Sequence, residues 1–158
     1  MSHVIKRIET IGRGIERRCM DGQVQRGGEA LRLRIAQYPQ GFLTMEVDGS
    51  IVGFIKSGCS FEVVMSDESF KELVGHDAQA PNVVLMSVVV APAHQGKGYS
   101  KLLMNEFVAR MKRAGKQTIH LMREERHVEL YTRMGYRYVK ASTSDHGGMS
   151  WHEMVMEL

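Results

Sequence analysis

Residues 87–107 read SVVVAPAHQGKGYSKLLMNEF, and the fold is decided in this stretch. The run that leads into it, Val83–Val90 (VVLMSVVV), is β-branched and almost unbroken, the pattern of a strand covered on both faces. Pro92 stops that strand, and the segment Ala93-His94-Gln95-Gly96-Lys97-Gly98 turns the chain. From about Tyr99 to Arg113 the apolar residues Leu103, Phe107 and Met111 recur four apart, with Met104 and Val108 beside them, so a helix follows. A strand, a glycine-bearing turn and a helix start in that order expose several backbone N–H groups where the helix dipole is positive. Such an arrangement is an anion site, and a pyrophosphate fits it. Gly96 and Gly98 let the backbone come close to a ligand, and Lys97 adds charge.

The flanking sequence completes the pattern. Gly115 caps the helix, and Lys112, Arg113 and Lys116 suit the negative end of its dipole. Thr118–Met122 reads as a strand, His127–Met134 as a short helix ended by Gly135, and Tyr136–Lys140 and Ser150–Met156 as two further strands. Upstream, Phe42–Val47 and Ile51–Lys56 are β-rich runs joined through Asp48-Gly49, the signature of a two-residue type I′ hairpin. Cys19–Gly28 is polar and glycine-rich, a loop, and Glu29–Gln37 reads as a short helix with Leu31 and Ile35 four apart. From Glu62 to Ala80 no clean period emerges apart from a helix turn near Ser69–Val74, so this is an excursion between strands. The order β-β-β-α-β-α-β-β predicts a mixed α/β fold: a central mixed β-sheet flanked by helices, with a βαβ crossover at its centre.

Composition bounds the rest. The chain has 158 residues, 43% hydrophobic and 25% charged, which suits one globular domain over residues 1–158. No apolar run approaches the 18 or so residues of a membrane span, and charges at Lys6, Arg7 and Glu9 sit where a signal peptide needs its apolar stretch. Two cysteines, Cys19 and Cys59, read as reduced thiols in a cytoplasmic protein. The net charge of +3 is uneven: residues 1–79 carry net −1 and residues 80–158 net +4. A basic second half suits a phosphate-bearing ligand, while the absence of interleaved aromatics argues against nucleic acid. The seven histidines show no metal-ligand spacing, so no metal is expected. The 12 methionines read as adaptable core packing. Exposed strand edges are compatible with a homodimer.

Three phosphate motifs compete for the turn. A Walker A loop needs glycine where Ala91 stands, and Gly98 follows Lys97 in place of Ser or Thr. A dinucleotide fingerprint needs a third glycine where Lys101 stands. The remaining match, Gln95-x-x-Gly98-x-Ser100, resembles the Q/R-x-x-G-x-G/A pyrophosphate loop of the GCN5-related N-acetyltransferases (GNAT), with Ser100 in place of the final small residue. Val128–Tyr138 (VELYTRMGYRY) resembles the later helix of that superfamily, through Tyr131, Gly135 and Tyr136. Gly147–Leu158 (GGMSWHEMVMEL), Met122–Tyr136 and Gly75–Val88 resemble its arylalkylamine N-acetyltransferase branch. The likeness runs from about Leu31 to the C-terminus.

The resemblance implies a GNAT fold with a βαβ core that binds acetyl-CoA, and a primary amine of a small molecule as acceptor, arylalkylamine- or polyamine-like. It implies direct attack of the amine on the thioester in a ternary complex. It places the donor on the main chain of Val88, Val89 and Val90 and on Gln95, Gly96, Lys97, Gly98, Tyr99, Ser100 and Lys101. It makes Tyr131 the acid: a phenol with pKa near 10 holds a proton at neutral pH for a departing thiolate, whose thiol has pKa near 8.5. A tyrosine packed only for its area is the plainer account of the same residue. Two histidines that the branch carries on the fourth strand fall here on Val84 and Met86. His120, His152 and Glu153 are then candidate bases acting through a water, each with a structural or solvated role as the plainer account. His94 shapes the loop or touches phosphate. An acyl-CoA-binding module with little catalysis and a peptide or protein N-acetyltransferase are the alternatives.

Overall fold

Asp48 and Gly49 turn the chain at φ of 51° and 79°, the backbone geometry of a type I′ turn. They join β2 (Phe42–Val47) to β3 (Ser50–Ser60) in antiparallel register, with Phe42 opposite Lys56 and Val47 opposite Ser50. The computed structural model describes residues 3–7, 37–65, 75–142 and 150–158. The loop Cys19–Gly28, the helix Glu29–Gln37 except for its last residue, and the helix turn near Ser69–Val74 lie outside the described residues. A strand that the sequence reading did not contain, β1 (His3–Arg7), pairs antiparallel with β2, His3 against Val47 and Arg7 against Leu43. Val4 and Ile5 are its only β-branched residues, flanked by charge, and so short a run gives no period to read.

The remaining elements are β4 (Asn82–Val90), α1 (Tyr99–Arg113), β5 (Thr118–Glu124), α2 (Glu125–Arg133), β6 (Arg137–Ala141) and β7 (Trp151–Glu157). The strands follow the order β1-β2-β3-β4-β5-β7-β6 in one mixed sheet. α1 has the bounds that its four-residue apolar period set. β3 runs on to Ser60, beyond the expected Lys56.

The chain divides into two compact units. The first comprises Met1–Ser57 and Ser87–Arg110. Its core holds Phe42, Leu43, Phe54, Ile55, Leu103 and Phe107, none more than 1% exposed. Leu103 and Phe107 lie one turn apart on α1, which is why a four-residue spacing buries a single face. The Ala91 N–H donates to the Val52 carbonyl at 2.7 Å and ties the end of β4 to β3.

The second unit comprises Gly58–Met86 and Met111–Leu158. Within it β5 lies antiparallel to β7 over seven pairs, from Thr118 opposite Glu157 to Glu124 opposite Trp151. β6 pairs with the other side of β7, with a register shift between Tyr138 and Lys140 that leaves Val139 as a bulge. β4 runs parallel to β5 through three pairs, Asn82 with Thr118, Val83 with Ile119 and Val84 with His120. Three contacts set that register: the Gln117 N–H donates to the Pro81 carbonyl at 2.8 Å, and the Lys116 ammonium donates to the carbonyls of Ala78 at 2.6 Å and Ala80 at 2.8 Å. Cys59 is buried and forms no disulfide among the described residues.

The expectation that β4 is covered on both faces holds for its first part only. Val83, Val84 and Leu85 are buried, but Met86–Val90 are half-buried. β-Branched composition reports a preference for extended backbone and does not say how much of each side chain is covered.

Removing the Phe107 ring should open a cavity in the first unit. Phe107→Ala is expected to cost about 3–5 kcal/mol, read as a lower urea midpoint with unchanged slope. A loss below about 1 kcal/mol would mean that the site collapses around the deletion.

Candidate functional site

In the first unit the half-buried end of β4 runs through a single 3₁₀ turn, Pro92–His94, into the exposed residues Gln95–Gly98. Gln95 is anchored: its side-chain amide donates to the Val90 carbonyl at 3.0 Å. Gly96 and Gly98 have φ of 77° and 78°, and a Cβ built at either would meet nothing within 4 Å. The conformation, not crowding by the protein, requires glycine there. The Gly98 carbonyl accepts the first helical bond, from the Leu102 N–H at 3.2 Å. The N–H groups of a helix's first turn have no acceptor within the helix, and α1 has no acidic residue in that turn.

Lys97, Ser100 and Lys101 are exposed around this end, while Tyr99 is buried and stacks with His94 at 6.3 Å between ring centroids. His94 Nδ1 is buried and makes no hydrogen bond among the described residues. A basic, acid-free helix start with a turn open to solvent can hold an anion.

In the second unit Tyr131 is the buried residue of α2, 4% exposed. Its ring meets Tyr136 edge-on, 5.6 Å between centroids at 80°, and the Arg123 guanidinium lies 5.2 Å from its centroid. Arg123 Nε is buried without a hydrogen-bond partner among the described residues. Burial raises the Tyr131 phenol above its ordinary pKa, and the Arg123 charge opposes that rise. The phenol therefore stays protonated through the neutral range, and a cation is at hand for its anionic form. Tyr136 is raised further, by burial first and by Tyr131 second.

A cleft of about 390 Å³ opens on the second unit, lined by parts of β5, β6 and β7 and by Val63 and Met65. Thr118 and His120 of β5 line it. The alternate residues Ile119 and Leu121 are buried, and Arg123 lies against Tyr131, as the two-residue period of a strand requires. The bulge at Val139 brings Arg137, Val139 and Lys140 all to the cleft, where strict alternation would turn Lys140 away. Of the other candidate bases, Glu153 lines this cleft, while His152 Nδ1 is engaged at 2.9 Å by the Tyr138 hydroxyl.

Residues 13–136 match the model of the acetyltransferase (GNAT) family. The chain belongs to that family. As a GNAT protein it is an acyltransferase that uses acetyl-CoA. Its fold is also that of solved structures at low identity. The loading GNATL domain of CurA from Lyngbya majuscula aligns with TM-score 0.81 and 15% identity, over 99% of this chain and 98% of that one. The PaiA N-acetyltransferase from Thermoplasma acidophilum, in complex with coenzyme A, aligns with TM-score 0.70 and 16% identity over 100% of both. The NatC complex bound to Gag peptide and CoA aligns with TM-score 0.73 and 16% identity, over 100% of this chain and 99% of that one. No curated protein matches significantly. Among the described residues no helix is long and apolar enough to cross a membrane.

The open, left-handed glycines of the GNAT loop give a stability test. Gly98→Ala should cost about 1–2 kcal/mol, the penalty of a Cβ in left-handed backbone, measured by urea denaturation without ligand. A much larger loss would mean that surrounding groups crowd the position.

Proposed function

We propose that residues 1–158 act as one N-acetyltransferase domain. It passes the acetyl group of acetyl-CoA to the primary amine of a small molecule, arylalkylamine- or polyamine-like, by direct attack in a ternary complex in the cytoplasm. The observation that carries this reading is the Gln95–Lys101 turn, with two left-handed glycines, exposed Lys97 and Lys101, and a helix start free of acid. A pyrophosphate carries two or more negative charges and many acceptor oxygens, so it suits backbone N–H groups and ammonium groups together. The Gly96 and Gly98 positions leave room in front of the loop for such a group.

In this reading the main chain of Val88–Val90 bonds the pantetheine arm and polarises the thioester carbonyl. Tyr131 gives its proton to the departing sulfur. From a phenol near pKa 10 to a thiolate whose thiol is near 8.5, that transfer is uphill by about 2 kcal/mol in water; burial of the phenol adds to this, and the Arg123 charge takes part of the addition back. The small-molecule acceptor is supported by the likeness of Met122–Tyr136 and Gly147–Leu158 to the arylalkylamine branch.

Thiol release from acetyl-CoA, with a panel of arylalkylamines, polyamines and short peptides, tests the reading. Release with small amines supports it, release with peptides alone replaces the acceptor, and silence with CoA bound removes catalysis. Tyr131→Phe is expected to lower kcat about 100-fold or more while the Kd for CoA stays within about twofold by calorimetry. Unchanged kcat would remove Tyr131 from the mechanism.

A further inference from the structure

The deprotonation of the acceptor has no residue assigned to it, because Val84 and Met86 stand where the branch resembled in sequence carries imidazoles. The register of the sheet supplies one on the neighbouring strand. Val84 is the parallel partner of His120, and partners in register present their side chains to the same face of a sheet. An imidazole thus stands next to the position that Val84 leaves apolar.

Hydrogen bonds fix the form of that imidazole. The Asn82 amide donates to the Phe61 carbonyl at 3.1 Å, which leaves its Oδ1 to accept. The Thr118 hydroxyl donates to that oxygen at 2.7 Å. A hydroxyl has one proton, so toward His120 Nε2, 3.0 Å away, Thr118 Oγ1 can only accept. Nε2 therefore carries the ring proton and Nδ1 the lone pair. Burial, with a smaller push from the Arg137 charge, holds the ring below its ordinary pKa of 6.5, so it is neutral at pH 7. The groups that face it across the cleft are Arg137 and Lys140 on β6 and Glu153 and Glu157 on β7. Glu157 is held by Arg137 at 3.4 Å, whereas Glu153 makes no ion pair among the described residues.

We propose that His120 is the proton acceptor for the acceptor amine, and that its cleft takes a monocationic amine with an apolar body in preference to a polyamine. This rests on the acetyl-transfer reading above. Glu153 receives the ammonium, and Val63, Met65 and Val155 receive the apolar body. The further ammonium groups of a polyamine would meet Arg137 and Lys140, which line the same space.

The proton balance closes. The substrate ammonium gives one proton to His120 Nδ1, which passes it to solvent. The neutral nitrogen forms the C–N bond, the C–S bond breaks with its electron pair on sulfur, and Tyr131 protonates the sulfur. The second proton lost by nitrogen goes to solvent, from which Tyr131 regains its own.

The test uses the full chain with acetyl-CoA, and phenethylamine and spermidine as acceptors. The wild-type rate with phenethylamine should rise with pH through an acid limb below 6.5, where the ring loses its proton, and then level off. His120→Asn should lower kcat/KM at pH 7 at least tenfold and replace the plateau by a rate that climbs with the free-amine fraction up to pH 9. Its Kd for CoA should be unchanged. Nitrogen chemical shifts of the wild-type ring should report an Nε2–H tautomer and a pKa below 6.5. Thr118→Val should lower kcat without changing KM and mix the two tautomers, whereas Glu153→Gln should raise KM for phenethylamine. A His120→Asn profile like the wild type overturns the proton acceptor, and a higher kcat/KM for spermidine than for phenethylamine overturns the ligand class. If neither amine releases thiol from the wild type while CoA binds, the acetyl-transfer reading falls and this inference with it.

Discussion

Three parallel pairs, Asn82–Val84 against Thr118–His120, are the constraint on which the second unit depends. They begin where the Pro81 carbonyl takes the Gln117 N–H and the Asn82 amide takes the Thr118 hydroxyl. From that start the strand period assigns every later residue of β5 to one face or the other. Ile119 and Leu121 go to the core and Arg123 to Tyr131, while Thr118 and His120 go to the cleft. A slip of one residue would exchange the two sets, burying an imidazole and exposing Leu121. Lys116, bound to two carbonyls of the connection before β4, makes such a slip costly before the ladder begins.

Much of this was legible in the sequence because it is local. The β-branched run, the proline and the four-residue period place β4 and α1 by themselves, and Asp48-Gly49 places the β2–β3 turn. The loop was equally legible, since its glycines, lysines and helix start are contiguous. β1 was not, because its five residues form a strand only through their pairing with β2. The order β5-β7-β6 was also hidden, because β7 inserts between two strands that precede it in sequence, and only pairing decides that.

The chemistry of the second unit was less legible for the same reason. His120 looked like any strand histidine until Phe61, Asn82 and Thr118 were joined to it by a chain of hydrogen bonds, the farthest of them 59 residues away in sequence. Tyr131 could be singled out by its spacing to Gly135 and Tyr136. The cation on its ring comes from Arg123, on a different element, and nothing in the spacing announces it. The bulge at Val139 leaves no mark in the residue pattern, yet it decides which side of β6 Lys140 serves.

Gly96 and Gly98 have open space where a side chain would be, together with backbone angles that an L-residue resists. The restriction there is one of handedness and not of size. A residue of the opposite chirality finds those angles natural, so D-alanine introduced by chemical synthesis should sit at either position without strain. It would remove conformers from the unfolded chain and leave the loop more rigid than glycine does. A loop that discriminates sharply among natural amino acids is thereby a place where the protein would accept an unnatural one.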